Sequence, residues 1–222
     1  ISKNYNPNEF IIIADGYQFN SNYQKQIKKF GFRLVYIDDL STEKMYADIV
    51  INHSIGLTID NFNSVKETRF ALGPAYALLR PAFINAAKKE RKIKSIDEVL
   101  ICFGGSDFYD LSNIALEGLI ELDQIKKIHV VLGAGYNHNE IYNTLQKRKD
   151  RAFIYNNLSE KEIIMLMNRC QLAIVPSSTV CYEVCSIKMI ILGGYYVDNQ
   201  KKINKGLDEN GLIYNAGNFK NL

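Results

Sequence analysis

The sequence predicts an α/β protein built on parallel sheets. Short apolar runs rich in Ile, Val and Leu recur along the 222-residue chain, and segments with helical spacing of apolar residues alternate with them. The second half also carries glycine- or hydroxyl-rich loops directly after its apolar runs: Gly104-Gly105-Ser106-Asp107, Gly133-Ala134-Gly135, Ser177-Ser178-Thr179, and the stretch from Gly193 to Gln200. In an open parallel sheet such loops gather at the carboxyl ends of the strands, where ligands bind.

The elements follow in order. Residues 10–14 form an apolar run that reads as a buried strand, and 20–30 have helical spacing, with Gly31 suited to the position just past a helix end. Residues 33–37 and 49–51 read as the next strands. A charged stretch, 88–97, reads as a linker between a first segment, 1–88, and a second, 95–222. In the second segment 99–103, 128–132, 152–155, 172–175 and 189–192 read as strands, and 111–122, 138–147, 179–186 and 199–209 as helices. Ser159 and Glu162 form a capping box for one more helix that runs to about Arg169. The order predicts a doubly wound domain. The first segment has few units and reads as the back half of a larger α/β domain.

Composition narrows the function. A net charge of +3 is too small to argue for nucleic acid, and the basic residues within 88–94 read as a solvated linker. No apolar run approaches the ~20 residues of a membrane span, and no signal peptide is visible in a chain that starts at Ile1. Cys102, Cys170, Cys181 and Cys185 lack zinc spacing and sit in apolar surroundings, so reduced, buried thiols in a cytoplasmic protein are expected. No metal and no cofactor is called for. His129 lies within a strand pattern and reads as structural, and neither His53 nor His138 stands out as a base.

The most informative stretch is 175–183, read as Val-Pro-Ser-Ser-Thr-Val-Cys-Tyr-Glu. Ser177, Ser178 and Thr179 offer hydroxyls and free N–H groups where a helix begins, which suits a phosphate, and Glu183 stands one turn further on, able to accept from two sugar hydroxyls. Taken alone, Ser-Ser-Thr reads first as an ordinary N-cap. Gly104, Gly105 and Ser106 admit close phosphate approach or form a plain tight turn. Asn199 and Gln200 bring amides to a sugar or phosphate, or are solvated amides after an Asp cap. Tyr17, after the first strand, is a hydrogen-bond donor to a sugar or a turn residue.

Longer motifs carry a resemblance. Residues 72–83, Leu-Gly-Pro-Ala-Tyr-Ala-Leu-Leu-Arg-Pro-Ala-Phe, and 103–107, Phe-Gly-Gly-Ser-Asp, resemble signatures of the UDP-sugar hydrolases of the pseudaminic-acid pathway, the spore-coat polysaccharide biosynthesis family. Asp15-Gly16-Tyr17, Ile37-Asp38-Asp39-Leu40 and Asp198-Asn199-Gln200 fall in the matching order. The resemblance implies a GT-B-like fold, with two Rossmann-like domains facing a cleft and the N-terminal one incomplete. It implies that backbone around Ile154 and Tyr155 reads uracil and that Glu183 holds the ribose. Ser106, Ser177, Ser178 and Thr179 would face the diphosphate, and Tyr17 and Asn199 the hexose. The implied reaction releases UDP and a 2,4-diacetamido-trideoxyhexose. The family's opening strand and Gly-His loop, which supplies its base, have no counterpart here, and Ala82 stands where the family has Glu. An inactive fragment of a hydrolase is therefore the expectation. A GT-B glycosyltransferase with a UDP-sugar donor and a non-catalytic nucleotide-sugar binder are the alternatives.

Overall fold

A computed structural model describes residues 4–221. The chain divides into two compact units, Ile1–Leu78 and Leu79–Leu222.

The first unit contains β1 (Ile11–Asp15), α1 (Ser21–Lys29), β2 (Arg33–Ile37), β3 (Lys44–Met45), β4 (Ile49–Asn52), β5 (Asn63–Ser64) and β6 (Arg69–Leu72). Its main sheet is parallel throughout in the order β1-β2-β4-β6, with β3 and β5 paired separately. Helix α1 begins at Asn20, whose side chain accepts from the N–H groups of Asn22 and Tyr23. It ends ahead of Gly31, at φ +83, a conformation open to glycine without strain. Asp48 ties the helix to the sheet: it accepts from Lys28 Nζ at 2.6 Å and from the Leu34 N–H at 2.7 Å. The core is Ile27, Phe32, Leu34, Tyr36, Met45 and Val50. One expectation is corrected. The first strand is buried on one face only; Ile11 and Ile13 are 59% and 68% exposed on the outer face of the edge strand β1, while Ile12 and Ala14 turn to the core.

The second unit contains α2 (Pro81–Ala87), β7 (Glu98–Ile101), α3 (Leu111–Ile120), β8 (Lys127–Leu132), α4 (Glu140–Lys147), β9 (Ala152–Asn156), α5 (Glu160–Arg169), β10 (Leu172–Pro176), α6 (Thr179–Ser186), β11 (Ile190–Tyr195), α7 (Asp198–Glu209) and β12 (Tyr214–Asn218). Its six strands are parallel in the order β12-β11-β10-β7-β8-β9. From β7 the chain first winds outward through β8 to β9, then returns to the other side of β7 and winds outward through β10, β11 and β12. Winding reverses between β7 and β10, so the loops leaving those two strands diverge and open a crevice. The expected capping box is formed: Ser159 Oγ accepts from the Glu162 N–H, and Glu162 accepts from the Ser159 N–H at 2.8 Å. The core of this unit lies between α3, α4 and the sheet, around Phe103, Leu116, Ile128, Val130 and Ile141.

The stretch 79–97 belongs with the second unit, not with a first segment and a free linker. Phe83 of α2 is fully buried, and α2 packs on α5 and α6. The Arg91 guanidinium donates to the carbonyls of Met167, Ile187, Asn168 and Cys170, which closes the ends of α5 and α6. A single arginine with planar, divergent donors turns a charged stretch into a structural strap. Cys102, Cys170 and Cys181 are buried and Cys185 is half-buried, and all four are free thiols.

Candidate functional site

The crevice between β7 and β10 is walled by loops whose backbones approach unusually closely. A methyl group on Gly133 would stand 2.3 Å from the Gly105 carbonyl oxygen and 2.4 Å from that of Gly104. The Gly135 N–H donates to the Gly105 carbonyl at 2.9 Å. The two glycine loops therefore brace one another, and Gly104, at φ +84, turns the first of them. Asp107 closes this loop by capping α3: its carboxylate accepts from Leu111 N–H at 2.9 Å and Ser112 N–H at 2.8 Å. The α3 N-terminus is thereby satisfied from within. Asp110 is held by the Tyr136 hydroxyl, and His138 Nε2 meets the Asp107 carbonyl at 3.1 Å.

Across the crevice, α6 starts differently. Its N-cap, Ser178, makes no side-chain capping bond. Ser178 is half-buried and Thr179 exposed. Ser177 is fully buried; its N–H donates to the Gly194 carbonyl at 2.7 Å and its Oγ accepts from Asn204 Nδ2 at 3.0 Å. Its hydroxyl thus fixes the loop between β10 and α6 to α7. An uncapped helix start beside a glycine loop is electropositive and suits an anion.

Between these walls lies a cavity of about 290 Å³. Gly104, Gly105 and Gly133 line it on one side, Asn157 and Leu158 on another, and Arg80, Val180 and Glu183 on a third. Glu183 accepts from Arg80 Nε at 3.2 Å and Nη2 at 2.9 Å, both at Oε1. Burial pushes the Glu183 carboxyl above its ordinary range, Arg80 opposes that shift, and Glu160 adds to it. The Cys102 thiol, also in the wall, is pushed up to about 11 by burial and is unreactive as a nucleophile near neutral pH.

The structure thus gathers Gly104, Gly105 and Glu183 around one cavity, with Ser106 exposed on the first loop and Ser178 and Thr179 at the head of the helix that carries Glu183. Ile154 packs against the core, and the Tyr155 hydroxyl meets His129 Nδ1 at 3.0 Å; the cavity wall at that end is Asn157 and Leu158, just past β9. Asn199 is half-buried in the first turn of α7. Gln200 is buried and its Oε1 accepts from the Tyr196 N–H at 3.0 Å, so its amide holds the turn. Tyr17 belongs to the first unit, at the carboxyl edge of its own sheet, where its hydroxyl donates to Asp39 at 3.2 Å. Arg80 escaped the sequence reading as a site residue. The signal was present, since it stands inside the long motif at 72–83, but its partner lies more than a hundred positions away.

Among the described residues, one group of side chains has metal-ligand chemistry: ligand atoms of Glu98, His129 and Cys170 lie within 4.8 Å of one another. They sit beneath the sheet, at the amino-terminal side of β7. The Glu98 oxygen that meets His129 Nε2 at 2.9 Å also accepts from Arg169 at 3.2 Å, and Lys127 lies near the other oxygen. Two cations on that carboxylate oppose a third; Lys127 and Arg169 pair with it from the half-exposed side, while the buried His129 ring has its pKa lowered by desolvation. His129 is structural in this arrangement, fixed by a contact at each ring nitrogen.

No family model matches the chain. The chain is 29% identical over 221 residues to an uncharacterized protein, MJ1062, of Methanocaldococcus jannaschii, covering 91% of this chain and 45% of that protein. It is 26% identical over 175 residues to the spore coat polysaccharide biosynthesis protein SpsG of Bacillus subtilis, covering 78% of this chain and 51% of that protein. The chain therefore spans about half the length of the curated relatives it matches. Among solved structures, MurG of Acinetobacter baumannii superposes with a TM-score of 0.60 over 96% of this chain and 60% of MurG, at 12% identity. That likeness is one of fold: parallel-sheet α/β architecture of the GT-B kind. Among the described residues no helix is long and apolar enough to cross a membrane.

Proposed function

We propose that the second unit binds the UDP half of a UDP-linked sugar and that the protein acts in polysaccharide biosynthesis by hydrolysing that sugar nucleotide. The observation that carries this reading is the cavity at the winding reversal, where a glycine loop, an uncapped helix start and a half-buried carboxylate converge. In this reading the diphosphate lies at the N–H groups that open α6 and against Gly104, Gly105 and Ser106. Glu183 accepts from the ribose hydroxyls, and the base lies against the backbone at Asn157 and Leu158. Asn199 approaches the hexose. The name of the Bacillus subtilis relative and the motifs at 72–83 and 103–107 support the pathway assignment.

In the proposed reaction a water oxygen bonds the anomeric carbon, the bond from that carbon to the phosphate oxygen breaks, and UDP leaves with the electron pair. The proton of the water passes to a general base. The helix start steadies the charge that grows on the departing diphosphate, the kind of preorganised electrostatic support that most lowers such barriers. The test is UDP release from a UDP-linked 2,4-diacetamido-trideoxyhexose, followed with and without an alcohol acceptor. UDP binding with almost no release by this chain is the expected outcome, since none of His53, His129 and His138 stands out as a base; robust release to water without acceptor would show that one of its own residues serves as the base, and release only with acceptor would reassign the protein as a glycosyltransferase.

A further inference from the structure

Glu183 reaches the cavity with one carboxylate oxygen engaged and one left over. Arg80 delivers both of its donors, Nε and Nη2, to Oε1, and among the described residues none donates to Oε2. A guanidinium that only neutralises a carboxylate commonly meets it fork to fork, one donor on each oxygen. Doubling the donors on a single oxygen leaves the other with its acceptor capacity intact.

Arg80 is itself held in place. Its backbone is the N-cap of α2, and Pro81 fixes the first helical residue. Its guanidinium lies over the ring of Phe83, 4.8 Å from the centroid, and Phe83 is fully buried. Backbone, stacking plane and ion pair thus set one orientation.

We propose that Arg80 is a positioning residue that holds Glu183 by Oε1 and leaves Oε2 without a protein donor, and that this pair makes the site select a ribose diol over a deoxyribose. The proposal rests on the nucleotide reading of the same cavity. A carboxylate accepts from two neighbouring hydroxyls at once, whereas a protonated carboxyl gives up one acceptor position to its own hydrogen. The groups that bear on Glu183 are Arg80 at the start of α2, Glu160 in the first turn of α5 and the Cys102 thiol beyond β7. Arg80 is the one cation among them, so its removal leaves burial and Glu160 to drive protonation.

The experiment is calorimetry with UDP and with deoxy-UDP on the unaltered protein and on Arg80→Ala and Arg80→Lys, at about pH 7.5 and at about pH 5.5, the second nearer the ordinary carboxylate range. The unaltered protein is expected to prefer UDP about tenfold, the loss of one charge-assisted hydrogen bond. Arg80→Ala is expected to lose about tenfold in UDP affinity at the higher pH and more at the lower, with deoxy-UDP losing less. Arg80→Lys restores the charge and with it the tolerance of low pH, but only part of the affinity, since an ammonium lacks the planar fork. Equal or tighter UDP binding by Arg80→Ala would overturn the proposal and make the ion pair a competitor of the ribose. Equal losses for UDP and deoxy-UDP without pH dependence would overturn it in favour of a phosphate contact. If the unaltered protein binds neither nucleotide, the nucleotide reading itself fails, a result distinct from the other two. Should Arg80→Ala not fold, Arg80→Gln, which keeps the length and drops the charge, carries the same comparison.

Discussion

The two units use the same local grammar of parallel strands and reach different ends. In the first sheet, β1, β2, β4 and β6 each add on the same side of the one before. The connections then repeat in one direction, and among the described residues no pair of neighbouring loops diverges. In the second sheet the order turns back on itself between β7 and β10, and a cavity of about 290 Å³ opens there. The buried polar groups differ accordingly. Asp38 in the first unit spends its carboxylate on Ser41 N–H at 2.9 Å and Asn52 Nδ2 at 2.8 Å, holding a loop. Glu183 in the second keeps an oxygen free beside open space. A parallel sheet supplies loops at one edge; a reversal of winding turns those loops into a binding crevice.

The comparison breaks most sharply at glycine. Gly133→Ala places a methyl group inside the backbone of the neighbouring loop, and should destabilise the second unit by about 3 kcal/mol, the upper end of ordinary overpacking. Gly56→Ala in the first unit meets no atom within 4 Å and carries only the strain of its φ of +85, about 1 kcal/mol. Chemical denaturation of each variant measures both costs. Equal costs would mean that the two glycine loops of the second unit are not braced as described.

Next comes ligand binding. Glu183→Ala should weaken UDP binding by about 1.5–3 kcal/mol, the range for hydrogen bonds to a charged group, while uracil alone loses little. Tyr17→Phe, in the first unit, should leave UDP affinity unchanged. Titration calorimetry on both variants separates the units, and a loss at Tyr17 matching that at Glu183 would erase the distinction drawn between them.

A smaller effect should appear with pH. Burial lowers the pKa of His53 in the first unit and of His129 in the second. Each is therefore neutral in the folded chain when the unfolded chain begins to bind protons near pH ~6.5. Stability is full above that value and falls as the pH drops from it toward the lowered folded pKa, by at most about 1.4 kcal/mol per pH unit per histidine. His53→Gln should flatten the acid-side slope of the first unit alone and His129→Gln that of the second alone, read from denaturation curves between neutral and mildly acidic pH. An unchanged slope in His129→Gln would show that its contact with Glu98 keeps the ring protonated in the folded state.

The smallest expected effect is none. The glycine and serine loops of the second unit carry no Asp-x-Asp sequence, and the proposed diphosphate contacts are N–H groups and hydroxyls. UDP affinity should be the same with and without a chelator. Strict dependence on Mg²⁺ would move the phosphate site away from the start of α6.

The residues announced most of the local elements because their causes are local. The strand at Arg33–Ile37, the helix at Thr179–Ser186, the capping box of Ser159 and Glu162 and the stop at Gly31 all depend on spacing and caps within a few positions. The glycine loop and the hydroxyl-rich helix start were legible for the same reason. Where local patterning is faint, the sequence was silent: β12 pairs a short run containing Asn and Gly onto β11 only because the sheet edge is there to receive it. α2 is a seven-residue helix, too short to show a period and held by burial of Phe83. The wall of the cavity at Asn157 and Leu158, the internal duties of Ser177 and Gln200, and the meeting of Arg80 with Glu183 depend on contacts distant in sequence. The alternation of strands and helices, and the glycine- and hydroxyl-rich loops that follow the strands, are properties of short stretches of chain and were determined by the sequence alone. Strand order, the split at Leu78 and the orientation of the one carboxylate that faces the cavity were decided by the tertiary structure, because each arises from packing between segments that no short-range pattern relates.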